Sequence, residues 1–153
     1  MSTDELEVRK VMRSELPELL RLYDALHPAD KARPEDSALA SLWESLLASD
    51  HHLYFGVFLD GSMLATCNLA IIPNLTRGCR PYGVIENVVT LEAYRRRGLG
   101  RAVLRHALEV AWKRDCYKVM LLTSRLNEET FRFYESVGFD RHAKQAFVAR
   151  PRA

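Results

Sequence analysis

The sequence predicts an α/β (α+β) fold, in which a mixed β-sheet is flanked by helices in the order β-α-α-β-β-β-α-β-α-β. Three observations lead to this prediction. Apolar residues recur at helical spacing in four segments, runs of β-branched and aromatic residues lie between them, and an Asp-Gly pair joins two of these runs. A strand, a helix and a second strand follow one another between residues 82 and 123, which predicts a right-handed crossover with parallel strands.

The first part of the chain is predicted to hold a strand and two helices. The strand covers Leu6 to Met12, and Ser14 offers an N-cap to the helix that follows. After a polar loop bounded by proline, a second helix begins at about Glu35 and carries Trp43 among leucines at helical spacing.

A β-hairpin is predicted around Asp60 and Gly61, because both central residues of a type I′ turn need positive φ. Its antiparallel strands run from Leu53 to Leu59 and from Ser62 to Ile72, and a long polar loop follows from Pro73 to Pro81. The remaining elements are predicted as a strand, a helix, a buried strand, a helix capped by Gly138 and a last strand, at residues 82–90, 98–114, 117–123, 127–137 and 139–149.

Composition and charge exclude several classes of protein. The whole chain of 153 residues suits a single domain. Its net charge of +2, from 22 Lys and Arg against 20 Asp and Glu, argues against a nucleic-acid partner. No apolar run approaches the roughly 20 residues that span a bilayer, and the acidic N-terminus does not resemble a secretory signal. We therefore expect a cytoplasmic protein without a membrane partner.

The cysteines and histidines are too scattered to predict a metal centre. The cysteines are odd in number and lack C-x-x-C spacing, so free thiols are expected at Cys67, Cys79 and Cys116. The histidines at 51, 52 and 106 show no ligand spacing either. We expect no bound metal.

A glycine-rich turn at residues 95–100 leads from an apolar strand into a helix N-terminus. Unpaired backbone N–H groups and the helix dipole favour a phosphate or pyrophosphate there, and the arginines that precede the glycines add mobile positive charge. A dinucleotide fingerprint would need a small residue where Val103 stands, and the Lys-Ser or Lys-Thr pair of a phosphate loop does not follow the glycines. What remains is the pattern R-x-x-G-x-G at the head of a helix.

This pattern resembles the acetyl-coenzyme A loop of the GCN5-related N-acetyltransferases, the GNAT superfamily. A second match, to the N…F-Y-x-x-x-G-F cofactor segment of that family, is formed by Asn127, Phe133, Tyr134, Gly138 and Phe139. The matching stretch runs from about Val84 to Phe139, and the order of elements agrees over the rest of the chain. The resemblance implies a centrally splayed sheet, acetyl-CoA as co-substrate, and transfer of acetyl to a primary amine of a small molecule by direct attack in a ternary complex.

The resemblance also implies which residues bind the cofactor. The pyrophosphate is expected on the turn formed by Arg95, Arg96, Arg97, Gly98, Leu99, Gly100 and Arg101. Where the sheet splays, backbone groups left without a neighbouring strand pair with the pantetheine arm, and the matching positions are Val88 and Val89. Asn127, which is also expected to cap its helix, and Phe133 complete the set. The alternative is a glycine turn that only begins a helix, with arginines on a solvated face.

Two side chains are candidates for proton transfer, since an alkylammonium group with a pKa of about 10 must lose a proton before it can attack. Strand alternation puts Glu86 on the same face as Val84 and Val88. In such an apolar strand a carboxylate must be paired or have its pKa raised, which suits a general base acting directly or through water. By family position, Tyr134 is the general acid at the thioester sulfur. The structural alternatives are a hydrogen-bond acceptor at Glu86 and a packing role for Tyr134.

The acceptor is the least defined part of the reaction. Arg77, Arg80 and Tyr82 are candidates for binding an anionic acceptor, and a solvated loop is the alternative. Residues 85–89 and 116–119 locally resemble glucosamine-6-phosphate N-acetyltransferases, in which an acidic residue stands where this chain has Leu122 or Thr123.

Other functions stay open beside this one. The acceptor amine belongs to a protein or peptide in one alternative, and the chain is a non-catalytic acyl-CoA-binding module in another. A third alternative has the arginine cluster bind nucleic acid, against which the near-neutral charge argues. A homodimer is compatible with the sequence.

Overall fold

The computed structural model describes residues 6–152, so the acidic residues 1–5 discussed above and residue 153 lie outside the described part. One sheet has the strand order β1-β2-β3-β4-β5, in which neighbours pair antiparallel except the parallel pair β4 and β5. The elements are β1 (Glu7–Lys10), α1 (Leu16–Leu26), α2 (Asp36–Ala48), β2 (His52–Leu59), β3 (Ser62–Ile72), β4 (Tyr82–Thr90), α3 (Leu99–Lys113), β5 (Val119–Met120) and α4 (Glu128–Glu135).

The chain divides into two compact units, one up to Leu121 and the other from Leu122 onward. The first unit holds the whole sheet and α1 to α3. On one face, Trp43 of α2 and Leu22 of α1 pack against Phe58 and Val89 of the sheet. On the other face, α3 buries an apolar stripe, and its His106 ring lies 4.9 Å from that of Phe55. The sheet is therefore covered on both faces, as expected for a mixed sheet flanked by helices.

The entry into α1 differs from the predicted serine cap. Ser14 lies within a 3₁₀ turn that precedes the helix. Within the described residues, no side chain caps α1 itself. The carboxylate of Glu15 closes the 3₁₀ turn instead, because it accepts a hydrogen bond from the Met12 N–H at 2.7 Å. The same carboxylate accepts two further bonds from the Arg9 guanidinium, at 2.7 and 2.9 Å. An acidic side chain with an arginine partner thus stabilises the turn that leads into α1.

The predicted hairpin and the parallel pair are confirmed. Asp60 and Gly61 have φ values of 49° and 79°, as a type I′ turn requires. The bounds of β3 and β4 are those predicted. The strand β5, however, has only 2 residues, because pairing with β4 stops after Met120.

The predicted last strand at residues 139–149 is absent from the described residues. Arg141 is bound to Glu135 at 2.6 Å and to Glu128 at 2.8 Å, and this double attachment holds the chain in a turn directly after α4. Lys144 and Gln145, which follow, have low strand propensity. The second unit therefore consists of α4 and a chain end without regular secondary structure.

Candidate active site

The predicted phosphate turn forms the N-terminal end of α3. Gly98 is the N-cap residue with a φ of 81°, and Arg96 has a φ of 62°. A Cβ atom on Gly98 would meet no other atom within 4 Å, so the backbone conformation requires glycine there, and packing does not. Leu99 and Gly100 are buried, whereas Arg101 is exposed. Because the first N–H groups of α3 lack an intrahelical acceptor, the turn offers donors to an anion.

The arginines at 95 and 97 are less mobile than the sequence suggests. The Nε atom of Arg95 donates to the Thr90 carbonyl oxygen at 3.2 Å. The Arg97 guanidinium lies 5.2 Å from the ring centroid of Tyr94. A ring contacts only the face of a guanidinium, so the edge N–H groups of Arg97 stay available to a phosphate. Two of the cations of the turn are therefore positioned in advance of binding.

The strand β4, which leads to this turn, has an open edge. It pairs with β5 only at Gly83 with Val119 and at Val84 with Met120. Beyond Val84, none of the strands in the described range pairs with this side of β4. Backbone N–H and C=O groups along this edge need another partner. The mixed, open sheet flanked by helices is as predicted, and β5 leaves β4 after two pairs at the edge of the described sheet. The amides of a pantetheine arm fit the requirement of this open edge.

Val88 and Val89, the predicted backbone partners of pantetheine, have different surroundings. Val89 is buried and pairs with Thr66 of β3. Val88 is half-buried and lies in a β-bulge, where β4 has one residue more than β3. In this bulge Asn87 and Val88 together face Cys67, and Asn87 has a φ of 53°. Val88 therefore lies within the bulge and Val89 directly after it, and the sequence did not indicate this irregularity.

Glu86 lies on the face of the sheet that packs against α1 and α2. It is opposite Asn68, which is opposite Tyr54, and the Tyr54 ring lies 5.3 Å from that of Trp43 in α2. The Glu86 side chain is exposed, so water solvates its carboxylate. The prediction that this carboxylate lies in apolar surroundings is therefore wrong. The bulge also puts Glu86 and Val89 on one face, so strict alternation does not hold beyond Glu86.

Asn127, Phe133 and Tyr134 belong to the second unit. The Asn127 Oδ1 atom accepts a hydrogen bond from the Thr130 N–H at 2.9 Å, which confirms the predicted cap of α4. The rings of Phe133 and Tyr134 lie 5.0 Å apart, and the Tyr134 and Phe139 rings meet edge to face at 84°. Tyr134 is half-buried, so contacts within this unit fix its ring.

The candidate acceptor residues differ in how they are held. Arg80 is bound to Asp115, with 3.1 Å between Nε and Oδ1. Arg77 has a φ of 57°, and its guanidinium lies 5.8 Å from the ring centroid of Tyr117. Tyr82 is half-buried at the start of β4, with its ring 6.3 Å from that of Tyr117.

Tyr117 and Lys118 join this group, although the sequence analysis did not single them out. The Nζ atom of Lys118 lies 5.4 Å from the Tyr82 ring centroid and 5.3 Å from that of Tyr117. Parallel pairing brings the starts of β4 and β5 together. The predicted crossover could have indicated that Tyr117 and Lys118 lie near Tyr82, because the starts of two adjacent parallel strands lie side by side.

Metal ligands, membrane-spanning helices and cysteines concern other kinds of site. Among residues 6–152, no three His, Cys, Asp or Glu side chains are grouped so that they could hold a metal ion. Within the same range, none of the helices has the length and apolarity to cross a membrane. The cysteines are free, with Cys67 and Cys116 buried and Cys79 exposed.

Comparison with known proteins agrees with the turn, the open edge and the order of elements. The model of the acetyltransferase (GNAT) family matches residues 16–139, and the chain belongs to this family. The expectation of an acetyl-CoA-dependent N-acetyltransferase is thereby confirmed at the level of the family.

Several relatives are similar over large parts of the chain. A glucosamine 6-phosphate N-acetyltransferase of Trypanosoma brucei brucei is 40% identical over 85 residues, which is 56% of this chain and 56% of the relative. An aminoglycoside N(6′)-acetyltransferase type 1 of Serratia marcescens is 30% identical over 134 residues, 86% of this chain and 89% of the relative. The solved structure of an Agrobacterium tumefaciens str. C58 protein assigned as an acetyltransferase is 45% identical, with a TM-score of 0.88 over 95% of this chain and 99% of the other.

Proposed function

We propose that this protein transfers the acetyl group of acetyl-CoA to a primary amine of an amino sugar, by direct attack in a ternary complex. The observation that supports this most is that an open strand edge and an exposed carboxylate lie on the same strand, β4. Its open edge and the phosphate turn that follows it suit acetyl-CoA. Its exposed carboxylate, Glu86, suits the amine. In this proposal one strand lies beside both partners of the transfer.

The names of the relatives support an amino sugar as the acceptor. One relative acts on glucosamine 6-phosphate and another on aminoglycosides. Both substrates carry a primary amine on a polyhydroxylated ring. The amino sugar is therefore a narrower proposal than a small-molecule amine, and acetylation of a protein or peptide amine is the alternative that a substrate screen decides.

The proton transfers are assigned to Glu86 and Tyr134. The amine nitrogen attacks the thioester carbonyl carbon, and its proton passes to the Glu86 carboxylate, directly or through water. The tetrahedral intermediate then breaks its C–S bond and releases a thiolate. In this proposal the Tyr134 hydroxyl donates a proton to that thiolate, whose conjugate acid has a pKa of about 8.5.

An anionic group on the acceptor is assigned to the cluster at the start of β4. Arg77 and Tyr82 would contact it, while Arg80, held by Asp115, adds positive charge nearby. Lys118, stacked over the Tyr82 ring, adds a further cation. A phosphate or carboxylate suits this set, because arginine and lysine both bind such groups with charge-assisted hydrogen bonds.

A thiol-release assay with acetyl-CoA tests the proposal. We expect release with glucosamine 6-phosphate, and little with polyamines, amino acids or peptides. Release with an aminoglycoside instead would keep the amino sugar and contradict the role of the cationic cluster, because an aminoglycoside carries no anionic group. Glu86→Gln should lower kcat by roughly 100-fold or more, the contribution of a positioned base, whereas the exposed Glu109→Gln on α3 should not. Release with peptides alone would favour the peptide alternative. Binding of acetyl-CoA without transfer to any amine would indicate a non-catalytic module.

A further inference from the structure

Asn87 has an unusual backbone conformation for a residue inside a strand. Its φ of 53° is in the left-handed region, where residues other than glycine are uncommon and asparagine is among the best tolerated. Such conformations persist only where the surroundings impose them, and they concentrate at functional sites. Neighbouring groups must therefore hold Asn87 in place.

Two side chains adjoin that of Asn87. Its Nδ2 atom donates a hydrogen bond to Oδ1 of Asn68 on β3 at 2.9 Å, and both side chains are half-buried. The buried hydroxyl of Tyr23, from α1, lies beside the Asn87 side chain, and burial raises the Tyr23 pKa so that the hydroxyl stays neutral. We call the hydrogen-bonded pair Asn68 and Asn87 the bulge clamp.

The β-bulge that the clamp surrounds sets the relation between the two halves of β4. Without it, Glu86 and Val89 would point to opposite faces of the sheet, because they are three residues apart. With it, both lie on the face toward α1 and α2. If β4 straightened at Asn87, one half of the strand would turn its side chains to the other face. The bulge thus couples the half that carries Glu86 to the half that leads into the phosphate turn.

We propose that Asn68 is a positioning residue, which accepts the hydrogen bond from Asn87, stabilises the bulge and thereby keeps Glu86 directed toward the amine. Asn68 acts through Asn87 and touches neither substrate. This inference rests on the proposed function for the role of Glu86. One specific consequence is that Asn68 should affect catalysis only when residue 87 needs support to keep its positive φ.

A double-mutant cycle tests that consequence. Asn68→Leu keeps the size of the side chain and removes the acceptor, whereas Asn68→Gln keeps a neutral amide oxygen and adds no charge opposite Glu86. Asn87→Gly adopts a positive φ without strain and so removes the need for the clamp. We expect Asn68→Leu to lower kcat by roughly 10- to 100-fold, as for a misplaced catalytic group, and the neutral Asn68→Gln to recover part of it. The KM for acetyl-CoA should rise as well, because Val88 and Val89, the proposed backbone partners of pantetheine, lie in and directly after the same bulge.

The effect of Asn68→Leu with either Asn or Gly at position 87 decides whether Asn68 positions Glu86 or contacts a substrate. In the Asn87→Gly protein, adding Asn68→Leu should cost little activity. An equal loss of kcat in both backgrounds would mean that Asn68 contacts a substrate, and would overturn the proposal. Full activity of Asn68→Leu in the otherwise wild-type protein would overturn it as well.

A backbone measurement in the free protein separates the clamp from the proposed function. The three-bond H–N/Hα coupling and the carbon shifts of residue 87 report its φ without any amine substrate. We expect the left-handed conformation in the wild type and in Asn68→Gln, and its loss in a folded Asn68→Leu protein, with folding checked by thermal unfolding. If the wild type acetylates no amine, the proposed function fails while this measurement still decides the clamp. An unchanged φ in Asn68→Leu would overturn it.

Discussion

Gly98 and Gly61 form a matched pair for testing the phosphate turn at the scale of single residues. Both have a positive φ, 81° and 79°, and a Cβ on either would meet no atom within 4 Å. Alanine at either site should cost about 1 kcal/mol or more of stability through backbone strain. Only Gly98→Ala should also weaken coenzyme A binding, because only that residue begins the phosphate turn.

Calorimetric titration with coenzyme A and urea unfolding measure the two effects separately. The expected pattern is a similar loss of unfolding free energy in both variants and a raised coenzyme A Kd in Gly98→Ala alone. If Gly98→Ala bound coenzyme A as tightly as Gly61→Ala, the assignment of the turn to the pyrophosphate would be wrong.

The residues that the sequence predicted best are those whose role depends on local chemistry. Gly98 and Asn127 each need only their own turn or helix end, and both occupy the predicted positions. Glu86 was placed correctly on β4 but was expected in apolar surroundings, and it is exposed. The bulge at Asn87 was missed, because alternation along a strand assumes one residue opposite one, and only the pairing with β3 shows where that fails.

At the scale of elements, the start of α1 gives a prediction of pH-dependent stability. Hydrogen bonds from Arg9, and then from the Met12 N–H, lower the pKa of Glu15. A carboxyl group whose pKa is lower in the folded than in the unfolded state stabilises the protein at pH values above its unfolded-state pKa. This stabilisation is lost as the pH falls through the folded-state pKa. Glu15→Gln should therefore lower the free energy of unfolding at pH 7 by about 1–3 kcal/mol, the range for hydrogen bonds to a charged group. The difference from wild type should shrink below about pH 4.

An exposed ion pair provides the control for this prediction. Glu44 lies 3.0 Å from Arg13, with side chains 48% and 74% exposed. Glu44→Gln should change stability by less than about 1 kcal/mol, since exposed pairs contribute little. Urea unfolding at pH 7 and at acidic pH compares the variants. A gap between wild type and Glu15→Gln that did not depend on pH would contradict the prediction.

The elements were predicted well where local signals mark both ends. The turn residues Asp60 and Gly61 and the prolines at 73 and 81 bound β3 and β4 closely. The strand β5 and the last predicted strand depend on neighbours instead. β5 stops where β4 diverges from it, and the segment after α4 is held in a turn by Arg141. A pattern of apolar residues indicates that a segment can be a strand, and pairing decides whether it becomes one.

At the scale of the whole molecule, coenzyme A should stabilise the protein and protect one strand edge in particular. At about 100 times its Kd, it should raise the free energy of unfolding by about 2.7 kcal/mol. Amides on the open edge of β4, within Ile85–Thr90, should gain further protection against hydrogen exchange, because the pantetheine amides would pair with them. Peptides from the β2–β3 hairpin serve as the internal reference. Equal protection of both regions would contradict pairing along β4.

The open edge of β4 has a further consequence for turnover. Acetyl-CoA and the product coenzyme A share the same pantetheine and pyrophosphate, so both would make the same contacts with the edge and the turn. Interactions that are equal in substrate and product hold both without favouring the transition state. The open edge that would bind acetyl-CoA should therefore also slow the dissociation of the product coenzyme A. Coenzyme A should accordingly be a competitive inhibitor against acetyl-CoA.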